Sequence, residues 1–508
     1  MFDQLPINNE KEKLSFLQKL HKITIVEKLV NPVGFILLLL ASLFFTMVVV
    51  KMGFVMGVLF LIAVVAIPLV YGIVAHPKFG IIVLLTGAYF IMFLIRVVST
   101  TFPLGTLMDA LEGLLILGFF IKQKQYKDYS IFKGPISYMI LIWVAYNMLE
   151  VANPSAESRL AWVYTVRTVA FVMLMYFVFM YNINSIKYLR VLIIMWLVYT
   201  VIGATYGIWQ EVFGYSKIEQ ASMDADPDRA ALYFIDGHWR KFSIFNDPVV
   251  FAYNMVLSFL LCVGLVWGPT RPWKKFLLVG LALICFVSML FSGTRGAFAL
   301  IPVGMILFCI LNFNKKIMVL GIIGAVGFIV LIFMPTSNPN IHRFQTAFKP
   351  SNDASYLLRQ QNQARIKPFI HTHPMGGGLG SVGVWGQKFS PNSMLAHFPP
   401  DSGYVRVAVE MGWIGIILFC ILMYTILRTG IINFYKIKNG ELKAYCLAMT
   451  IMIFAINVGN YPQEALVQFP TNIYFYLMVA ILNKCLDLDN QLQLEAGQTT
   501  PLKQALVA

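Results

Sequence analysis

The sequence predicts an all-α, polytopic integral membrane protein with about 12–14 transmembrane helices and a large loop on the outer side containing short helices. Three observations carry that prediction. Hydrophobic residues fill 58% of the 508 positions and charged residues only 12%, about half the charged share of a soluble domain. Apolar runs recur along the whole chain, each near the roughly 20 residues that cross a bilayer. The connections between them alternate, short and basic on one side, mostly very short on the other with two long polar exceptions. An ordinary soluble enzyme is excluded, and so is a disordered chain, which requires low hydrophobicity. The net charge of +15 follows from basic cytoplasmic loops, so no nucleic-acid partner is expected; the lipid bilayer is.

Residues 1–30 form a cytoplasmic N-terminal segment, in which Lys13–Val30 is basic and amphipathic and suits the inner membrane surface. This polar lead-in argues against a cleaved signal peptide. Residues 31–484 make one membrane domain. Its candidate spans fall near 33–50, 54–75, 80–98, 104–121, 135–151, 160–181 and 190–212, then 247–267, 275–292, 296–313, 317–335, 404–427, 442–460 and 468–484. The third and fourth contain Arg96, Asp109 and Glu112. Lys122, Lys124, Lys127 and Lys133, then Lys187 and Arg190, then Arg271, Lys274 and Lys275, mark the cytoplasmic side. Lys315, Lys316, Arg428, Lys436, Lys438 and Lys443 continue the series. Both termini fall there, with 485–508 as a C-terminal tail.

The opposite, outer side has two long connections, about 213–246 and 336–403. Connections of that length are usually functional. The second holds Arg343, Lys349, Arg359, Arg365, Lys367 and Lys388 against Asp353 and Asp401. Topology tolerates this excess without explaining it; an anionic ligand would. The six cysteines lie in or beside apolar runs, so neither a disulfide nor a cysteine metal site is expected.

Several residues carry candidate chemistry. Arg295 sits between two apolar runs in Phe291-Ser292-Gly293-Thr294-Arg295-Gly296. An arginine at the membrane edge marks either a functional site or a snorkelling side chain. Arg240 and Lys241 precede Asn246-Asp247-Pro248, which reads as a helix entry. Ser355 opens a polar helical stretch that carries Arg359 and Arg365. The run His373-Pro374-Met375-Gly376-Gly377-Gly378-Leu379-Gly380 is a backbone nest for phosphate or a surface loop. His397, just before a long helix, suits a general base or a solvated side chain. His371 and His373 lack a third metal ligand, and Asp224, Asp226 and Asp228 lack the rest of a calcium-loop pattern. Arg167, inside a span, calls for a carboxylate from Asp109, Glu112 or Glu150. No metal site is expected.

The order of these motifs resembles that of the O-antigen ligase and Wzy-type O-antigen polymerase superfamily. Arg240 with its F-x-D-P helix entry leads to the S-x-x-R-G-A turn at Arg295. The loop S-x-x-x-R at Arg359 and the HP-x-G-x-G run follow. Then come His397 and the E-x-G-x-I-G helix at Glu410, Gly412 and Gly415. The resemblance covers roughly Arg240 to Ile416. It implies a periplasm-facing inverting glycosyltransferase without metal or other cofactor. The donor would be a glycan on undecaprenyl pyrophosphate, and the acceptor a glycan or a lipid A core. By position, Arg240, Arg295 and Arg359, with Arg365 beside them, would bind pyrophosphate, and His397 would be the base. This chain departs from the family at Phe398-Pro399-Pro400-Asp401, where His-Asn beside Tyr is common, which makes Asp401 a rival base. The family also has nearer twelve helices. A lipid-linked oligosaccharide flippase is the competing class. Transporters often show internal repeats and broken helices at the bilayer midplane, whereas here the unusual residues gather toward one face.

Overall fold

The computed structural model describes residues 19, 21–52, 66–98, 104–127, 129–235, 237–348 and 354–505. The chain divides into two compact units, Met1–Gly72 and Ile73–Ala508. In the first unit, a π-helical turn at Lys22–Val26 leads to the helix Pro32–Met52. Asn31 accepts from the Gly34 amide at 2.6 Å and starts that helix. Phe35, Leu38 and Phe44 are exposed along it, as on a lipid-facing helix. Residues 13–18 and 20 of the amphipathic segment, and residues 54–65 of the span near 54–75, lie outside the described residues.

In the second unit nine helices, among the described residues, are long and apolar enough to cross a membrane. The sequence proposed a span at each of them. Leu104–Tyr126, Arg295–Leu311 and Thr471–Ala505 stand at three further proposed positions. The last runs on past residue 484, so no structural break separates a tail there. Leu488 and Asp489 are buried. Proline at the first turn starts Pro135–Leu149, Pro248–Trp267 and Pro272–Phe291, where its missing N–H costs nothing.

Pro248–Trp267 and Gly440–Gly459 form the centre, buried along most of their lengths. They approach closely because Gly264 has no side chain; a Cβ there would lie 2.5 Å from that of Ala448. Small residues allow such close backbone packing between membrane helices. Lys315–Phe333, exposed along its length, is peripheral. The predicted intramembrane ion pair forms between Arg167 and Asp109.

The two ends of the bundle differ. At one end the short basic loops meet. Lys78 donates to Asn184 at 2.7 Å, Arg190 pairs with Glu441 through two bonds of 2.6 Å, and Asp489 accepts from the Lys438 and Asn439 amides. At the other end lie both long connections. The first contains helices Lys217–Asp224 and Pro227–Tyr233 and the strand pair Phe234–Ile235 and His238–Trp239. The second contains Pro339–Thr346, Ala354–Thr372 and Gly383–Phe389, the short helices expected of it. All six cysteines are free.

Candidate functional site

The turn Ser292–Arg295 lies at the end that carries the long connections. Gly293 has φ +59°, a conformation that favours glycine. Two arginines hold the turn from above. Arg240 donates through Nε to the Ser292 carbonyl at 2.8 Å, and through its other nitrogens to Thr294 Oγ1 at 3.0 Å and the Leu232 carbonyl at 3.2 Å. Arg343 donates to the Gly293 carbonyl at 2.7 Å. Burial, with Arg343 nearby, lowers the Arg240 pKa to about 10. Arg240 was expected at the pyrophosphate. Its guanidinium is instead directed at acceptors of the chain itself, and it lines none of the cavities described below. Asp247 serves as the helix cap that the sequence suggested, accepting from the Val249 and Val250 amides at 2.8 and 2.9 Å.

So held, the turn presents Arg295 to a cavity of about 540 Å³. Arg359, from Ala354–Thr372, reaches the same cavity from the second long connection. Tyr404, Asn457, Tyr461 and Pro462 close it. Tyr404 donates to the Asn457 side chain, tying the start of one central helix to the end of another. The two arginines that the resemblance pairs, 64 positions apart by their numbers, thus share one site.

Arg359 also lines a narrow crevice with Asn362, Gln363, Phe398, Asp401 and Ser402. The Asn362 amide nitrogen is buried there without a hydrogen-bond partner among the described residues. Asp401 is exposed on its solvent side. Partial burial raises its pKa, and Arg359 acts in the opposite direction. His397 is exposed and lines neither the cavity nor the crevice; its Nε2 lies 2.9 Å from the Pro391 carbonyl. Arg365 is exposed and lines neither.

The glycine run is neither a phosphate nest nor a loose loop. Gly376 to Gly380 are buried. The Gly377 and Gly378 amides donate to the Val409 and Glu410 carbonyls at 2.9 and 2.8 Å. Those carbonyls are available because the helix Gly403–Lys436 breaks at Gly412, φ +66°. A Cβ on Gly412 would run into the Pro374 carbonyl. His373 is engaged locally, its ring stacked on Phe369 at 4.0 Å. Asp226 caps Pro227–Tyr233.

Two further features bear on the site: Arg406, absent from the candidates above, and Arg96, marked above only as a charge inside a span. Arg406 lies between Glu410, 3.2 Å from its Nε, and Glu464, 2.8 Å from its NH1. Burial raises the Glu464 pKa and Arg406 opposes the shift. This cluster joins the helix start to the 460–465 turn that supplies Tyr461 and Pro462. Arg96 bonds to Glu219 at 3.0 Å and to the Ser243 and Phe245 carbonyls, anchoring the first long connection. An arginine inside an apolar run was the available signal for Arg96. Arg406 had only the i,i+4 spacing to Glu410.

These features define a polytopic membrane protein with a two-arginine cavity at one end. A family model for O-antigen ligase matches residues 279–420, which include Arg295, Arg359, Asp401 and Gly412. An O-antigen polymerase of Salmonella muenchen is 24% identical over 259 residues, 49% of this chain and 61% of that protein. The match therefore spans less than two thirds of that relative. Each match covers only part of this chain, and over those stretches it is similar to O-antigen ligases and to an O-antigen polymerase, as its motif order suggests.

Proposed function

We propose that this chain is a periplasm-facing, metal-independent inverting glycosyltransferase of surface polysaccharide synthesis in the bacterial inner membrane. It moves a glycan from undecaprenyl pyrophosphate to a hydroxyl of an acceptor glycan or lipid A core. The convergence of Arg295 and Arg359 on one cavity carries this reading. Both termini and the basic end are cytoplasmic under it, because short basic loops stay inside.

The chemistry needs three things. The acceptor oxygen must lose a proton as it attacks the anomeric carbon. The bond from that carbon to the pyrophosphate must break, and the departing lipid pyrophosphate must be stabilised. Two guanidinium forks match phosphate oxygens and act in place of a divalent ion. Asp401 beside Arg359 is the better placed base, since His397 opens to solvent away from both recesses. Arg240 acts at one remove, fixing the turn from which Arg295 projects. One displacement inverts the anomeric centre. The flippase reading is weaker because the break at Gly412 is filled by the chain's own glycine run rather than left open for a transported group.

The test is transfer by purified protein in vesicles that hold an undecaprenyl-pyrophosphate-linked glycan. Release of undecaprenyl pyrophosphate with an inverted linkage is expected. Retained configuration would refute single displacement. In the living host, gene deletion that leaves single repeats indicates a polymerase, and free lipid-linked polymer indicates a ligase. Units trapped inside the cell would restore the flippase.

A further inference from the structure

The basic end has a recess of its own, remote in role from the arginine cavity. It lies between Ile186–Phe213 and Pro272–Phe291 and measures about 870 Å³. Its walls are apolar, including Ile193, Leu197, Leu277, Leu281 and Ile284. Gly280 leaves it open in the middle, for a Cβ there would meet nothing within 4 Å. The charged groups all sit at one mouth: Arg190, Arg271, Lys274 and Glu441. Arg190 and Glu441 neutralise each other through their two bonds of 2.6 Å. Arg271 and Lys274 are exposed and form no ion pair among the described residues, although the Lys274 charge also acts on Glu441; two cations are thus left in excess at this mouth. The Lys274 ammonium rests 5.6 Å from the centre of the Trp273 ring.

We infer that this groove binds an anionic glycerophospholipid, its phosphate at Arg271 and Lys274 and one acyl chain between the two helices. The shape is that of an amphiphile with its charge at one end. From Arg271 to Ile284 the helix advances about 20 Å, enough to follow a chain through one leaflet of a core roughly 30 Å thick. A soluble anion would have no use for the apolar walls, and a neutral lipid none for the surplus cations. Basic pockets between membrane helices at the cytoplasmic side recognise anionic headgroups in this way. Trp273 suits the interfacial level at which such a headgroup lies.

The test uses the full-length protein, delipidated in neutral detergent. Phosphatidylglycerol and phosphatidylcholine with identical chains are titrated in, and bound lipid is counted by native mass spectrometry. Phosphatidylglycerol should be held preferentially. The double variant Arg271→Ala, Lys274→Ala should weaken it by about tenfold or more and leave phosphatidylcholine unaffected. Gly280→Phe, filling the open part of the groove, should weaken both. Equal retention of the two lipids, or wild-type selectivity in the double variant, would overturn the inference. So would glycerol phosphate binding as tightly as the intact lipid. The double variant changes only exposed side chains, so it decides the matter even where Gly280→Phe fails to insert.

Discussion

The two long connections both carry cations at the same end of the bundle, and, apart from Arg343 of the second, which joins Arg240 at the turn, they use them in opposite ways. In the first, Arg240 holds the turn at 292–294, and Lys241 sits 3.6 Å from Glu211. Arg229 donates to the Asn246 carbonyl at 3.3 Å, and Arg96 comes up from its span to bind Glu219. Each is directed at an acceptor within the protein. In the second, Arg359 lines the cavity and the crevice, while Arg365 and Lys367 face solvent. Lys388 lies over the rings of Trp385 and Phe389. The first connection is a brace; the second braces through Arg343 alone and otherwise leaves its cations toward the cavity and solvent, where an anionic ligand would meet them. A count of charges cannot separate them; their acceptors can.

Variants can break this division or sharpen it. The largest effect is expected at Asp401. If it is the base, Asp401→Asn should lower turnover by roughly 10²–10⁴-fold with donor affinity nearly intact. His397→Ala should transfer near the wild-type rate. The reverse result would return the base to His397. The pH profile adds a second reading. A base works deprotonated, so the rate falls as pH falls through its pKa. Burial raises that pKa, which puts the acid limb above the ordinary aspartate value of about 3.9. Arg359→Ala removes the opposing charge and should move the limb still higher.

Next come the two arginines of the cavity. Arg295→Ala and Arg359→Ala should each cost about 2–5 kcal/mol of transition-state stabilisation, about 10²-fold or more in rate, without lowering the melting temperature much. Arg295→Lys should remain impaired, because the fork is lost although the charge is kept. Transfer at the wild-type rate in Arg295→Ala would sink the site. Arg240→Ala should differ in kind. It strips a buried charge from three chain acceptors and should destabilise the fold by about 3–5 kcal/mol, seen as a lower melting temperature alongside lost activity. Should Arg240→Ala melt like wild type and lose only donor affinity, the first connection would be a binding surface after all. The smallest effect is expected from chelation. Transfer in excess EDTA should match the untreated rate, and loss restored by a divalent ion would move the chemistry to the carboxylates.

Much of this was legible in the sequence because membranes impose simple rules. Apolar run length gave the helices, and loop charge gave two unlike ends. Motif order pointed to Arg295 and Arg359, which the fold then brings to one cavity. Other features were hidden because they depend on partners distant in sequence. Arg240 carries the same charge as Arg359, and only the carbonyls of Leu232 and Ser292 reveal its different use. The glycine run looked like a phosphate cradle since its amides are unpaired in any local reading. Their partners, Val409 and Glu410, lie on a helix that composition alone draws as unbroken. The lead-in to that helix offered two bases, His397 and Asp401, and sequence holds no information on which one opens into the crevice beside Arg359.

The break at Gly412 has a consequence for how the gene can vary in length. Residues 374–378 and 409–414 lock together through the Gly377, Gly378 and Ile414 amides, like teeth on two racks. One residue inserted or deleted within either stretch shifts every tooth and leaves helix carbonyls near the membrane without donors. Between the racks lies a different regime: the exposed turn at Pro391 and Asn392 meets no such constraint and can lengthen. Natural or engineered insertions should therefore collect at that turn and be absent from the racks. A library of single-codon insertions from 370 to 415, scored for folded protein, would trace this as a sharp alternation of tolerance along the chain.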